Sequence, residues 1–173
     1  LLSVMVSLFR SVGLTSEDVV IKISSRKVLE EVLGSLGIAG ESFAKTCVIV
    51  DKMDKLPAEA ITAQLSDLGL DGDSISTIQS VLSIAKLSDL SESLDQGSTA
   101  STELEALFSL IDSYGISDWV QFDASIVRGL AYYTGPVFEA HDRSGNLRAI
   151  CGGGRYDKLI GTLGGKDLPA TGF

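Results

Sequence analysis

Residues 128–139 read RGLAYYTGPVFE, and residues 151–157, a short distance on, read CGGGRYD. Between them lies a polar turn sequence with Ser144-Gly145 at its centre, so the two stretches are expected as neighbouring strands of one antiparallel sheet joined by a hairpin. YYTGPVFEAHD, NLRAIC and, upstream, WVQFDASIV all read as strands. Ten of the eighteen glycines fall in the last 51 residues. Working outward from this region, Val19–Ile23 (VVIKI) is short and β-branched and reads as a buried strand. What separates it from Trp119 is different in kind.

From Ser25 to about Tyr114 apolar residues recur at helical spacing. Val28, Leu29, Val32, Leu33 and Leu36 form one face of a helix that stops at Gly37. GESFAKTCVIVDKMDKL reads as a second helix, with VDKMDK (Val50–Lys55) as its solvated end, although CVIV alone fits a strand equally well. Pro57 suits the first turn of a third helix closing at Gly69. Asp73 is the expected N-cap of a fourth, and SESLDQGSTAS reads as a loop. Thr102 and Glu105 match a capping box for a last helix bearing Leu104, Leu107, Phe108 and Ile111. Ahead of all this, Leu1–Val12 spaces Leu1, Met5, Leu8, Phe9 and Val12 as a buried helix capped by Gly13. The fold class expected is α+β, an antiparallel sheet interrupted by an inserted helical subdomain. Core would occupy 1–25 and 116–173, and the insertion 26–115. A start in mid-helix suggests a fragment.

At 173 residues with 45% hydrophobic content, the chain fits one domain, or one domain with a small inserted subdomain. No apolar run approaches the ~20 residues that cross a bilayer. LLSVMVSLF lacks the basic start and cleavage site of a signal peptide. The net charge of −9 is uneven: residues 1–122 carry −10 and the remainder +1. An acidic helical block should repel nucleic acid, because phosphate contacts dominate such affinity. Cys47, Cys151 and the single histidine, His141, are too few and too scattered for a zinc site. Two buried reduced thiols are expected, and His141, near a turn, reads as a surface residue.

The chemistry-bearing candidates are therefore Arg128, Tyr132, Tyr133 and the glycines 152–154, followed by Arg155 and Tyr156. A guanidinium offers a fixed planar fork to a carboxylate or phosphate. A tyrosine offers a ring wall and a hydroxyl. Glycines on a strand let a ligand approach where any Cβ would exclude it. On a strand the two tyrosines would point to opposite faces, leaving at most one for any pocket. By itself the mixture fits a pocket for a small anionic or zwitterionic molecule about as well as a structural hairpin. The dinucleotide fingerprint, the P-loop and the nucleophile elbow are all missing.

These two stretches resemble the two signatures of histidyl-tRNA synthetases, class II aminoacyl-tRNA synthetases whose signatures are written RGLDYYTG followed by VFE, and GGRYDGL. LPATGF resembles the approach to their third class II motif. VVIKISSRKVL and VDKMDK are similar to the strand and the start of the inserted domain in eukaryote-type members. The resemblance implies activation of L-histidine with ATP and Mg2+, transfer to tRNA(His), a homodimer without membrane association, and a cytoplasmic or organellar (chloroplast or mitochondrion) location. By position it implies a catalytic Arg128 near the histidine carboxylate and the ATP α-phosphate. It places Tyr132 and Tyr133 beside the histidine side chain, with Tyr133 nearer the imidazole. Gly152, Gly153 and Gly154 become the floor of the amino-acid pocket, Arg155 and Tyr156 supporting residues, and no residue a metal ligand. Ala131 stands where the family pattern has Asp, a variant associated with some organelle-type members. Parts of the family's charge clamp, its dimer motif and its anticodon domain have no counterpart here. The fragment alone is therefore expected to be inactive and to hold no cofactor tightly. Non-catalytic relatives, such as a regulatory subunit of histidine biosynthesis or the sensor domain of a stress kinase, share parts of these signatures.

Overall fold

The structure, a computed structural model, describes residues 1–53 and 56–173. Five strands form one sheet: β1 (Val19–Ser25), β2 (Val120–Phe122), β3 (Pro136–Asp142), β4 (Cys151–Arg155) and β5 (Thr171–Gly172), in the spatial order β2-β1-β3-β4-β5. β1 lies antiparallel to β3, β3 to β4, and β4 to β5. β1 and β2 are parallel. That exception follows from connectivity, since neighbouring parallel strands need a long crossover. The described part of residues 26–115 supplies it as six helices: α2 (Arg26–Ser35), α3 (Gly40–Val50), α4 (Ala58–Asp67), α5 (Gly72–Leu82), α6 (Leu87–Ser93) and α7 (Thr99–Ser113). The chain is α+β, as the sequence pattern indicates.

Strand β1 carries the core. Val19, Ile21 and Ile23 are almost fully buried and share one apolar cluster with Met5, Phe9, Val32, Leu33, Leu104 and Phe138. Each such aliphatic side chain contributes about 1.5–3 kcal/mol by leaving water. The cluster runs from the sheet into α2 and α7, so helices and sheet share it. A second cluster, Ile49, Ile61, Leu65 and Ile75, is confined to the helical block.

Several local expectations shift. In α1 (Leu2–Ser11) the buried face is Met5, Val6 and Phe9, whereas Leu1, Leu8 and Val12 are exposed. Gly13, at φ +84°, ends that helix as expected. The N-cap of α5 is Asp71, not Asp73, because its carboxylate reaches the Ser74 amide at 2.8 Å. Of the expected loop 91–101, α6 takes the first three residues and α7 the last three. α7 starts at Thr99 rather than at Thr102 because Ser98 is its N-cap, with Oγ accepting from the Ser101 amide at 3.0 Å, and because its first turn is also capped from outside. Glu31 of α2 accepts hydrogen bonds from Ser98 Oγ, Thr99 Oγ1 and the Ala100 amide at 2.5–2.9 Å. Helix α3 ends at Val50; the last two residues of VDKMDK lie outside the described residues.

Candidate functional site

Side chains alternate along β3, and the alternation separates two faces. Phe138 and Ala140 enter the main core, while Val137 packs with Ile126 and Tyr133 in a separate cluster bordered by Tyr132 and Tyr156. Glu139 and His141 share the Val137 face. Residues 123–135 lie across that face as an irregular segment, not as the continuation of strands expected on either side. Asp123 stops β2. Its carboxylate accepts from the Ser125 amide and hydroxyl and pairs with Lys22 Nζ at 2.8 Å, and its carbonyl accepts from the Ile126 amide.

YYTG is likewise not strand, so the two tyrosines do not divide between faces. Their ring centroids are 4.7 Å apart, and Tyr156 meets both edge-on at 5.8 and 6.3 Å. Strand alternation does not govern these residues because they form no ladder. NLRAIC also joins β4 only at Cys151. The Asp142 carboxylate instead gathers the Ser144 hydroxyl and the Asn146 and Leu147 amides, which turns 143–150 into a loop longer than a two-residue hairpin.

Arg128 is the pivot of the site. Among the described residues it is the one non-glycine with positive φ, at +53°. A left-handed backbone at a bulky residue is strained by roughly 1–3 kcal/mol, so surrounding contacts must hold it. Its Nη1 donates to Glu139 Oε1 at 2.7 Å, and its Cζ lies 5.9 Å from the centre of the Tyr133 ring. Its Nε is buried and has no hydrogen-bond partner among the described residues. Burial opposes the charge, but Tyr133 and Glu139 outweigh it and hold the guanidinium above its ordinary pKa. The Tyr133 phenol is pushed up by burial and by hydrogen bonding with Tyr132, with Arg128 working the other way. Glu139 Oε2 lies 3.1 Å from His141 Nε2, so His141 is a half-buried neighbour of this ion pair and not the surface residue expected.

The glycines of β4 are explained by what a Cβ would meet. At Gly152 it would overlap Arg128 Nη1 and come within 2.9 Å of its Cζ; at Gly154 it would lie 2.7 Å from the Tyr133 ring. At Gly153, on the other face, it would overlap the Gly172 carbonyl oxygen on β5. The space at Gly152 and Gly154 thus belongs to the protein's own arginine and tyrosine. The ligand-approach argument reaches a ligand only through them.

Arg155 alternates with Gly154 and faces away from Arg128. It pairs with Asp157 at 2.9 Å and with Glu103 of α7 at 3.5 Å. Tyr156 returns to the tyrosine cluster. Ala131 is exposed, and the carboxylate that holds Arg128 comes from Glu139 instead. Cys47 is buried and Cys151 half-buried, and both are free. Burial pushes the Cys47 thiol up to about 11, which keeps it protonated and unreactive. A mostly apolar cavity of about 560 Å³ lies on the opposite face between α1, α7 and Phe138, and of the candidate residues it is lined only by Arg155. No described group of three or more His, Cys, Asp or Glu side chains could hold a metal ion. No described helix is long and apolar enough to cross a membrane.

Comparison with known proteins converges on one family. A family model described as histidyl-tRNA synthetase matches residues 1–173. The chloroplastic/mitochondrial histidine–tRNA ligase of Arabidopsis thaliana is 49% identical over 173 residues, covering 100% of this chain and 36% of the relative. The crystal structure of histidyl-tRNA synthetase from Nostoc sp. superposes with a TM-score of 0.84 at 29% identity, over 98% of this chain and 42% of that one. An ATP phosphoribosyltransferase regulatory subunit/histidyl-tRNA synthetase from Bacillus halodurans shares the fold, with a TM-score of 0.80 at 22% identity, over 98% of this chain and 44% of that one. The chain therefore spans less than half the length of these relatives. Matched along its whole length and with both signatures meeting at Arg128, the chain belongs to the histidyl-tRNA synthetase family.

Proposed function

We propose that the chain is part of the catalytic domain of a histidine–tRNA ligase, which activates L-histidine with ATP to histidyl-adenylate and transfers the histidyl group to tRNA(His). The observation that carries the reading is Arg128. One of its nitrogens is used by Glu139, while its buried Nε lacks a partner among the described residues. A partnerless buried cationic donor fits an anionic oxygen, either the histidine carboxylate or a phosphate. When the carboxylate attacks the α-phosphorus, negative charge grows on the phosphoryl oxygens. A prepositioned guanidinium stabilises it without reorganising. Tyr132 and Tyr133 line the amino-acid side, with Tyr133 supplying the hydroxyl nearer the imidazole. Gly152 and Gly154 serve the floor by making room for Arg128 and Tyr133, Gly153 makes room for β5 on the other face, and Arg155 and Tyr156 support the site, Arg155 from the opposite face.

ATP is a substrate in this reading. Magnesium would enter with it, but the described residues offer no cluster that fits the ion, so no step is assigned to it. Residues 1–25 and 116–173 act as catalytic core, with 26–115 as the insertion. The full-length protein is read as a homodimer. The name of the Arabidopsis relative supports an organelle over the cytoplasm as its compartment. The retained arginine and tyrosine pair favours an enzyme over a regulatory relative. Histidine-dependent ATP–pyrophosphate exchange by the full-length protein, beside its Arg128→Ala variant, is the test. Exchange that falls at least ~100-fold in the variant is expected; histidine binding without exchange in the unaltered protein would overturn the ligase reading.

A further inference from the structure

The VDKMDK segment has no role in the site as described so far, yet its first acid touches the Arg128 loop. Asp51 follows the last residue of α3, where Cys47 and Val50 are anchored in the main core. Its Oδ1 accepts the Gly129 amide hydrogen at 2.7 Å, across 78 positions of sequence. A Cβ added at Gly129 would meet the same carboxylate at 3.1 Å, so the two segments are packed closely as well as bonded. A carboxylate at the C-terminal end of a helix faces the negative end of its dipole and does not stabilise the helix. The placement calls for another reason.

We propose that Asp51 is a positioning residue for Arg128, a role that rests on the ligase reading above. The Gly129 N–H belongs to the peptide plane that follows Arg128, and its direction is set by the Arg128 ψ angle. Holding that N–H fixes ψ at Arg128 and removes one of the two rotations by which this residue, at φ +53°, could leave the left-handed conformation from which its side chain reaches Glu139 and the space over Gly152. Without the acceptor the strained residue relaxes to an ordinary backbone region. Its Cα–Cβ direction then turns, and the guanidinium leaves the reacting oxygens. The helical insertion thereby takes part in catalysis through a hydrogen bond, without itself touching substrate.

The test uses the full-length protein and its Asp51→Ala and Asp51→Asn variants, each also combined with Arg128→Ala. A displacement of about 1 Å at a catalytic group lowers rates ~100-fold, so Asp51→Ala should lose roughly 10- to 100-fold in kcat for pyrophosphate exchange. Asp51→Asn keeps an oxygen acceptor and should recover most of that loss. In the Arg128→Ala background Asp51→Ala should add almost nothing, because its effect passes through the arginine. A full additional loss there, or unchanged exchange in Asp51→Ala, overturns the proposal. Hydrogen exchange at the Gly129 amide separates this from failure of the ligase reading. Protection lost in Asp51→Ala and kept in Asp51→Asn upholds the link even if no variant shows exchange activity. Equal protection in all three proteins refutes it.

Discussion

Replacing Gly152 by alanine adds one methyl group, and the structure says where it goes. The new Cβ would overlap Arg128 Nη1, lie 2.9 Å from Cζ and lie 3.0 Å from the Phe138 carbonyl oxygen. The backbone of β3 is fixed by its ladder, so the flexible end of Arg128 is what yields. Reaching van der Waals distance from Cζ requires a displacement of about 1 Å, which breaks the 2.7 Å contact with Glu139. That ion pair is partly buried, so its loss should destabilise the fold by about 1–2 kcal/mol. Catalysis should suffer far more, with pyrophosphate exchange falling ~100-fold. Gly153→Ala is the matched control. Its Cβ would overlap a backbone oxygen on β5 that has no flexible side chain to give way, so this variant should lose the β4–β5 pairing and melt well before Gly152→Ala. Thermal melts and exchange assays on both variants of the full-length protein decide the matter. Gly152→Ala retaining a third or more of its activity, or losing activity only in step with stability, would refute the account of what this glycine is for.

Glu31→Ala removes three hydrogen bonds and leaves the Ala100 amide, at a residue with no exposed surface, without its acceptor. The two hydroxyls can turn to water, so a loss of about 2–3 kcal/mol is expected, with hydrogen-exchange protection falling first in the opening turn of α7. A urea midpoint equal to that of the unaltered protein would argue against the capping role. Asp123 gives a pH dependence. Burial raises its pKa, but the Lys22 ion pair and the Ser125 hydrogen bonds outweigh this and hold the carboxyl below its ordinary range. A depressed folded-state pKa means stabilisation that is complete above the ordinary aspartate value of about 4 and is lost as pH falls through the folded value. Asp123→Asn should therefore be less stable at pH 7 by about 1–2 kcal/mol and should lose less on acidification; parallel urea–pH curves for the two proteins would contradict this.

The parts of this protein that were legible in its sequence depend on short-range physics. Apolar spacing located α2 and α5, and β-branching located β1, because each element buries a face that its own residues define. Arg128, the tyrosine pair and the glycine triplet stood out because they fall in the two stretches that match the family signatures, since by residue chemistry alone a pocket and a structural hairpin fitted equally well. The parallel pairing of β1 with β2, the external cap on α7 and the loop over 143–150 were hidden from local reading. Each depends on a partner far away in sequence or on a side chain competing with the ladder: Glu31 for α7, Asp142 for the loop.

The site divides along the same line. Sequence alone singled out Arg128, but Glu139, His141 and Asp51 became its neighbours only once β3 had a register and α3 an end point. The glycines show the difference most clearly. Their presence after a strand is a local fact with two readings, open space for a ligand or space filled by another side chain. Only packing distinguishes them, because what occupies a missing Cβ's place is set by residues 20 or more positions away, Arg128 at Gly152 and Tyr133 at Gly154. Residue chemistry determined which groups could act, and tertiary structure decided which of them meet, because the contacts that orient a charge are made between segments whose separation along the chain carries no local signal.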